Sequence, residues 1–174
     1  MKRAPEAVVW DLDGTLVDSA PDLATTLNLM LSRHGLPGHE VDAVRLMIGH
    51  GVPKLIERGF RASGRTLSKS EIVSLTPDFL EHYATCATDR TRAMPGAVEA
   101  LEHFMRAGIP QGLCTNKNEK VTRQILDALN TAKFFGSVIG GDSTATRKPD
   151  PLPVRTCFQQ LGVNPSEGLL IGDS

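Results

Sequence analysis

Two aspartates spaced two residues apart, Asp11 and Asp13, stand directly behind the apolar run Ala7-Val8-Val9-Trp10 and open the stretch Asp11-Leu12-Asp13-Gly14-Thr15-Leu16-Val17-Asp18. Ligands of open α/β sheets bind beyond the carboxyl ends of the strands, so if the run is a strand both carboxylates face that crevice. Two acids this close repel each other, which makes sense when a cation sits between them; an Asp-Gly turn closing a strand is the ordinary alternative. Three further stretches have the same placement. Cys114-Thr115-Asn116-Lys117 offers a hydroxyl, an amide and, where a helix begins, backbone N–H groups able to hold an anion or simply to cap the helix. Gly140-Gly141-Asp142 leads to Arg147-Lys148-Pro149-Asp150-Pro151, whose Lys148, taken alone, is a solvated surface charge. Gly172-Asp173 ends the series and alone is a turn. Acid pair, threonine, lysine and acid at four successive strand ends argue for one site rather than four unrelated turns.

The elements that must position these residues are written in the apolar periodicity. Runs at 7–10, 109–114, 137–139 and 169–171 predict buried parallel strands, each ended by a polar or glycine-rich turn. Helical spacing lies between the later ones, at Val121, Ile125, Ala128 and Leu129 and at Val154, Cys157, Phe158 and Leu161. Alternating strands and helices mean right-handed βαβ crossovers. The gap between the first two strands is far too long for one crossover and predicts an insertion of roughly 70 residues. That insertion shows helical patterns at Leu23, Leu27, Met30 and Leu31, at Val41, Val44 and Met47, and at Ile72, Leu75, Phe79 and Tyr83. Ser19 is the expected N-cap of the first, with Pro21 in its first turn and Asp22 three residues after the cap. Pro77 is expected to break or kink the last. A helix over 96–106, with Val98, Leu101 and Met105 on one face, leads into the second strand. The fold class is therefore α/β: a Rossmann-like parallel sheet core, 1–18 and 91–174, with an inserted helical cap domain, 19–90.

The bulk properties restrict the partners. Nineteen Lys and Arg against twenty Asp and Glu give a net charge of −1, so no basic field exists to hold nucleic acid or an anionic membrane, and an anionic substrate must be bound locally. Apolar and charged fractions of 40% and 22% exclude disorder as the main state. Cys86, Cys114 and Cys157 are too scattered for a disulfide framework or a zinc cluster and read as reduced thiols. The apolar run before Asp11 is shorter than the roughly 7–15 residues of a signal peptide's apolar region, and no run approaches the ~18 residues of a membrane span. A soluble, cytoplasmic protein is expected. His34, His39, His82 and His103 lack metal-ligand spacing and are read as surface or capping residues, and Trp10 as a packing residue.

On these residues the chain resembles the haloacid dehalogenase-like phosphohydrolases, whose four motifs match Asp11-x-Asp13-Gly14-Thr15, Thr115, Lys148 and Gly172-Asp173. Within that superfamily it is most similar to the phosphoglycolate phosphatase family. The similarity runs through the stretch from Trp10 to Ser19, Val44-Arg45-Leu46-Met47-Ile48-Gly49-His50-Gly51, Thr91-Arg92-Ala93-Met94-Pro95-Gly96, Val138-Ile139-Gly140-Gly141-Asp142 and Lys148-Pro149-Asp150-Pro151. Related sugar-phosphate phosphatases and mutases share the four motifs.

The resemblance implies a Mg²⁺-dependent phosphatase acting on a small phosphorylated metabolite, 2-phosphoglycolate foremost, through an aspartyl-phosphate on Asp11. A carboxylate approaching a phosphate dianion meets repulsion of about 11 kcal/mol at about 3 Å and an effective dielectric near 20. The implied roles offset it. Mg²⁺ is held by Asp11, the backbone carbonyl of Asp13, and Asp173. Lys148, Thr115 and the N–H groups of Leu12, Asp13 and Asn116 receive the transferring phosphoryl oxygens. Asp13 protonates the leaving oxygen and then deprotonates the hydrolytic water; the dehalogenase branch has no acid there. Arg45 and His50 are the expected cap residues that meet a substrate carboxylate, each with an ordinary reading as a solvated helix or loop residue.

One departure stands out. The sequence ends at Ser174, inside the fourth motif, where the family continues with a second acid, a helix, a strand and a helix. The expectations are a terminal carboxylate beside Asp173 and an uncovered sheet edge at 169–171 that would favour self-association. A catalytically weak phosphate-binding protein is the rival reading. A phospho-acceptor receiver domain, also built on Asp, Thr and Lys, is disfavoured by the helical insertion and by Asp-Gly-Thr after the first strand.

Overall fold

Four short strands form one parallel sheet whose inner strands leave neither face to water. In the computed structural model, which describes residues 4–173, β1 (Ala7–Trp10) is buried along its whole length. It lies between β4 (Gln111–Cys114) and β6 (Gly168–Ile171), with β5 (Ser137–Ile139) beyond β4, in the order β5-β4-β1-β6. Val8 is level with Gln111, and Trp10 with Leu113 on one side and Ile171 on the other. Met1 to Arg3 and the carboxylate of Ser174 expected beside Asp173 lie outside the described residues.

The sheet corrects the expected bounds of the second strand. It begins at Gln111, because Pro110 has no N–H for a ladder and supplies only its carbonyl, to the Val8 N–H at 3.0 Å. Both edge strands are short, and β6 keeps Leu169 and Leu170 exposed. α7 (Leu152–Gln160) covers one face, setting Cys157 and Phe158 against Ala7, Val9, Cys114 and Ile139. α6 (Glu119–Ala128) buries Val121, Thr122, Ile125 and Leu126 while Ala128 is exposed, so its buried face takes in Thr122 and Leu126 in place of Ala128. α5 (Ala97–Arg106) buries Ala97 and Leu101. Met105 is exposed, contrary to expectation; Phe104 takes the inward position, edge-on to Trp10 at 5.7 Å. Trp10 also donates from Nε1 to Gln111 Oε1 at 3.0 Å and is 5% exposed, a packing residue.

The chain divides into two compact units, an α/β unit of 1–18 and 92–174 and a helical unit of 19–91. It leaves and re-enters the α/β unit through a two-residue antiparallel pair that the sequence did not announce, β2 (Val17–Asp18) and β3 (Arg92–Ala93). The helical unit holds α1 (Ala20–Arg33), α2 (Val41–Arg45), α3 (Val52–Ala62) and α4 (Lys69–Cys86). α1 buries Leu23, Leu27, Met30 and Leu31, against a core that includes Phe60, Phe79 and Tyr83. α3 carries Leu55, Ile56 and Phe60 inward and was not expected.

The start of α1 is where it was expected, with Ser19 at the N-cap, Pro21 in the first turn and Asp22 three residues after the cap, but the side chains do other work. Ser19 occupies the N-cap of α1 without a side-chain capping hydrogen bond. Asp22 is buried and turned to the returning chain, where it accepts from the Arg90 N–H at 3.0 Å, the Thr91 N–H at 2.8 Å and the Thr91 hydroxyl at 2.8 Å. Pro77 does not break α4, which runs from Lys69 to Cys86 with the proline inside it. Ser68 and Glu71 close a capping box at the start of α4, and those hydrogen bonds, with Arg65 beside them, hold the Glu71 carboxyl down at about 2. Among the described residues no helix is long and apolar enough to cross a membrane.

Candidate active site

The turn after β1 is wound tightly enough to stack its residues over the strand end. The N–H groups of Leu16 and Val17 both reach the Leu12 carbonyl, at 2.9 and 3.0 Å, and Gly14, at φ +81°, bonds back to Val17. Asp11 is anchored to the neighbouring strand, its N–H donating to the Ile171 carbonyl at 2.8 Å. Its carboxylate is held at both oxygens: Oδ1 accepts the Leu12 N–H at 2.7 Å, and Oδ2 lies 2.7 Å from Lys148 Nζ. Burial pushes the Asp11 carboxyl above the usual carboxylate range, with Lys148 and the Leu12 N–H pulling the other way. Asp13 points Oδ1 at Lys117 Nζ, 3.2 Å away. From the end of β6, Asp173 accepts the Thr15 hydroxyl at 3.2 Å. Its carboxylate lies over Gly14, where a Cβ would sit 2.8 Å from Asp173 Cγ; only glycine lets it approach.

The turn after β4 supplies the opposite wall. Thr115 is buried, its N–H on the Ile139 carbonyl at 3.0 Å and its Oγ1 accepting the Lys117 N–H at 3.2 Å. Asn116 donates from Nδ2 to the Lys148 carbonyl at 3.1 Å. The helix cap is therefore neither of these: Asn118 is the N-cap of α6, its Oδ1 accepting the Val121 N–H at 3.3 Å. Asp142 reinforces that helix start by accepting the Glu119 N–H at 2.8 Å.

Gly140 and Gly141 explain how Lys148 arrives. A Cβ on Gly140 would lie 2.6 Å from the Glu119 nitrogen, and one on Gly141 would run into the Asn116 carbonyl. The loop after β5 therefore lies flat on the start of α6, fixed by the Gly141 N–H on the Lys117 carbonyl at 2.7 Å and by Arg147 Nε on the Gly141 carbonyl at 2.6 Å. Lys148 then reaches Asp11 with its side chain 17% exposed.

Asp11, Asp13, Thr115, Asn116, Lys148 and Asp173 thus gather at the carboxyl ends of β1, β4, β5 and β6. Arg45 and His50 belong to the helical unit: Arg45 ends α2, paired at 3.7 Å with an exposed Asp42, and His50 is exposed in the loop before α3. Sequence reasoning gave no role to Lys117, a lysine whose side chain is 5% exposed. Its one signal was a cation directly behind Thr115-Asn116 at a strand end.

Among the described residues no three His, Cys, Asp or Glu side chains cluster as metal ligands, so a cage made of side chains alone is absent. Asp11 nevertheless follows Trp10 of β1, and Asp173 lies two residues after Ile171, the level partner of Trp10 on β6; the turn after β1 carries the Asp13 carbonyl. Two carboxylates and a carbonyl, all hard oxygens, suit a Mg²⁺ ion that keeps water and substrate phosphate as its remaining ligands. The thiol at the end of β4 adds nothing to the set, since burial pushes Cys114 up to about 12 and keeps it protonated.

Known proteins resemble this chain in sequence and in fold. The family model for haloacid dehalogenase-like hydrolases matches residues 5–174. The phosphoglycolate phosphatase of Caulobacter vibrioides is 40% identical over 167 residues, covering 96% of this chain and 70% of that protein. That of Rhodospirillum rubrum is 39% identical over 176 residues, covering 98% and 72%. The crystal structure of a predicted phosphoglycolate phosphatase from Haemophilus somnus superposes with a TM-score of 0.84 at 29% identity, covering 97% of this chain and 76% of that one. The chain belongs to the haloacid dehalogenase-like hydrolases and, within them, to the phosphoglycolate phosphatase-like phosphoric monoester hydrolases.

Proposed function

We propose that the chain hydrolyses a small phosphomonoester, 2-phosphoglycolate foremost, to the alcohol and phosphate, with Asp11 as the nucleophile. The observation that carries this reading is the pair of fixed carboxylates on one turn, Asp11 held by Lys148 and the Leu12 N–H, and Asp13 facing Lys117. An Asp11 oxygen attacks phosphorus, the ester P–O bond breaks, and Asp13 gives its proton to the leaving oxygen. Water then attacks the aspartyl-phosphate, its proton passing to Asp13 as the Asp11 O–P bond breaks, which returns both carboxyls to their starting states. Lys148, Thr115 and the turn N–H groups of Leu12, Asp13 and Asn116 meet the charge on the phosphoryl oxygens. A Mg²⁺ held by Asp11, Asp173 and the Asp13 carbonyl would supply the charge neutralisation that an anionic nucleophile and an anionic substrate require.

The helical unit is read as the cap that selects the substrate, with Arg45 and His50 meeting its carboxylate. The exposed Arg45 pair with Asp42 is worth little and gives way easily to a planar carboxylate. The decisive measurement is phosphate release from 2-phosphoglycolate and from p-nitrophenyl phosphate, with Mg²⁺ or with chelator. Chelator-sensitive release from both, with Arg45→Ala raising KM for phosphoglycolate alone, is the expected result. Tight binding without release would instead assign a phosphate-binding protein, and a preference for a sugar phosphate would replace phosphoglycolate as substrate.

A further inference from the structure

We propose that Lys117 is a positioning residue of the reaction: its ammonium holds the Asp13 carboxyl on the line along which a proton passes to the leaving oxygen. This rests on the reading of Asp13 as acid and base. Lys117 is buried almost completely, with Nζ 3.2 Å from Asp13 Oδ1. Lysine is among the residue types least often buried, and when buried it is paired. The main chain aims the side chain: the Lys117 N–H is fixed to Thr115 Oγ1 at 3.2 Å and its carbonyl to the Gly141 N–H at 2.7 Å. The stem therefore projects from the β4 turn towards the β1 turn. The two carboxylates of that turn face two lysines from two different strand ends, Lys148 at Asp11 and Lys117 at Asp13.

The division of labour follows from where each lysine sits. Lys148 lies on the carboxylate that attacks phosphorus, so its loss weakens every substrate. Lys117 lies on the carboxyl that serves the leaving group, so its loss falls on substrates whose leaving oxygen needs a proton. A misdirected general acid costs its full catalytic share, about 10²-fold or more, when the leaving group is an alkoxide. In kcat/KM, which reports only the steps through departure of the leaving group and not the later hydrolysis that both esters share, it costs almost nothing when the leaving group is p-nitrophenolate, which departs unprotonated.

The test compares kcat/KM of Lys117→Met on 2-phosphoglycolate and on p-nitrophenyl phosphate, with Mg²⁺ present throughout. The expected result is a fall of about 10²-fold on the alkyl ester against less than about 3-fold on the aryl ester. Asp13→Asn should show the same selectivity, and the double variant should be no slower than Asp13→Asn alone. Equal losses on both esters, or losses that multiply in the double variant, would overturn the assignment and make Lys117 a phosphate ligand or a packing group. The ratio of the two esters is internal to one preparation, so partial misfolding cancels from it, and Lys117→Gln provides the same ratio should the methionine variant not fold. If the unmodified chain releases phosphate from neither ester, the phosphatase reading itself falls, which is a different result from unequal or equal losses.

Discussion

Asp11 in the α/β unit and Asp22 in the helical unit are both buried aspartates, and they are satisfied in opposite ways. Asp22 accepts from two main-chain N–H groups and a hydroxyl of the same returning segment, at 2.8 to 3.0 Å. These partners cannot move without unfolding the end of the unit, so the carboxylate is locked into the fold. Asp11 shares its two oxygens between one main-chain N–H and a lysine that comes from a glycine-rich loop. Burial outweighs these partners and holds its carboxyl above the usual carboxylate range. A carboxylate saturated by backbone donors stabilises a structure, whereas one faced by side-chain cations retains a lone pair for chemistry and costs stability.

The contrast is broken most directly by replacing the two residues. Asp11→Asn should lower kcat by about 10⁴-fold or more, while the melting temperature stays level or rises because a buried charge is removed. A melting temperature that falls with activity would mean that Asp11 is structural. Asp22→Ala should do the reverse: it strands two N–H groups and a hydroxyl, for a loss of about 2–4 kcal/mol, with turnover per folded molecule unchanged. Retained stability by denaturant titration would remove Asp22 from the comparison.

Smaller effects sharpen it. Gly141→Ala should push the loop bearing Lys148 off the Asn116 carbonyl and reduce kcat by about 10- to 100-fold, read in the same phosphate-release assay, with far less effect on the helical unit. Glu71→Gln should have the smallest effect, a modest drop in melting temperature at neutral pH. The Glu71 carboxyl is held at about 2 in the folded chain against 4.5 for an ordinary glutamate. A depressed value contributes stability above about pH 4.5 that is lost as pH falls through about 2, so the gap between variant and parent should close over that window in acid melts. A gap that widens in acid would contradict the capping geometry.

What was legible in the sequence follows from the same distinction between local and distant causes. The runs 7–10 and 137–139 match their strands to the residue; the first is buried on both faces and writes an unbroken apolar run, and the second is closed by Gly136 before it and Gly140 after it. The second strand was overrun at its start because apolarity alone does not register that Pro110 cannot donate. α3 went unread because Gly51, Pro53 and Gly59 interrupt a pattern that tertiary packing of Ile56 and Phe60 restores. Asp22 was read as part of a helix start, since the segment that claims it lies at the far end of the helical unit. At the strand ends, residue types and order drew attention to Asp11, Asp13, Thr115, Lys148 and Asp173. Lys117 stayed hidden because its burial depends on a partner in another turn, which no local pattern records.

The chain has one tryptophan and one tyrosine. Trp10, pinned to Gln111 and Phe104, lies within the sheet one residue before Asp11, and Tyr83 is buried in the helical core. Each unit therefore carries its own optical reporter. Tryptophan emission follows the strand ends and the near-ultraviolet dichroism of the tyrosine follows the helices, so the melting of the two units can be separated in one unlabelled sample.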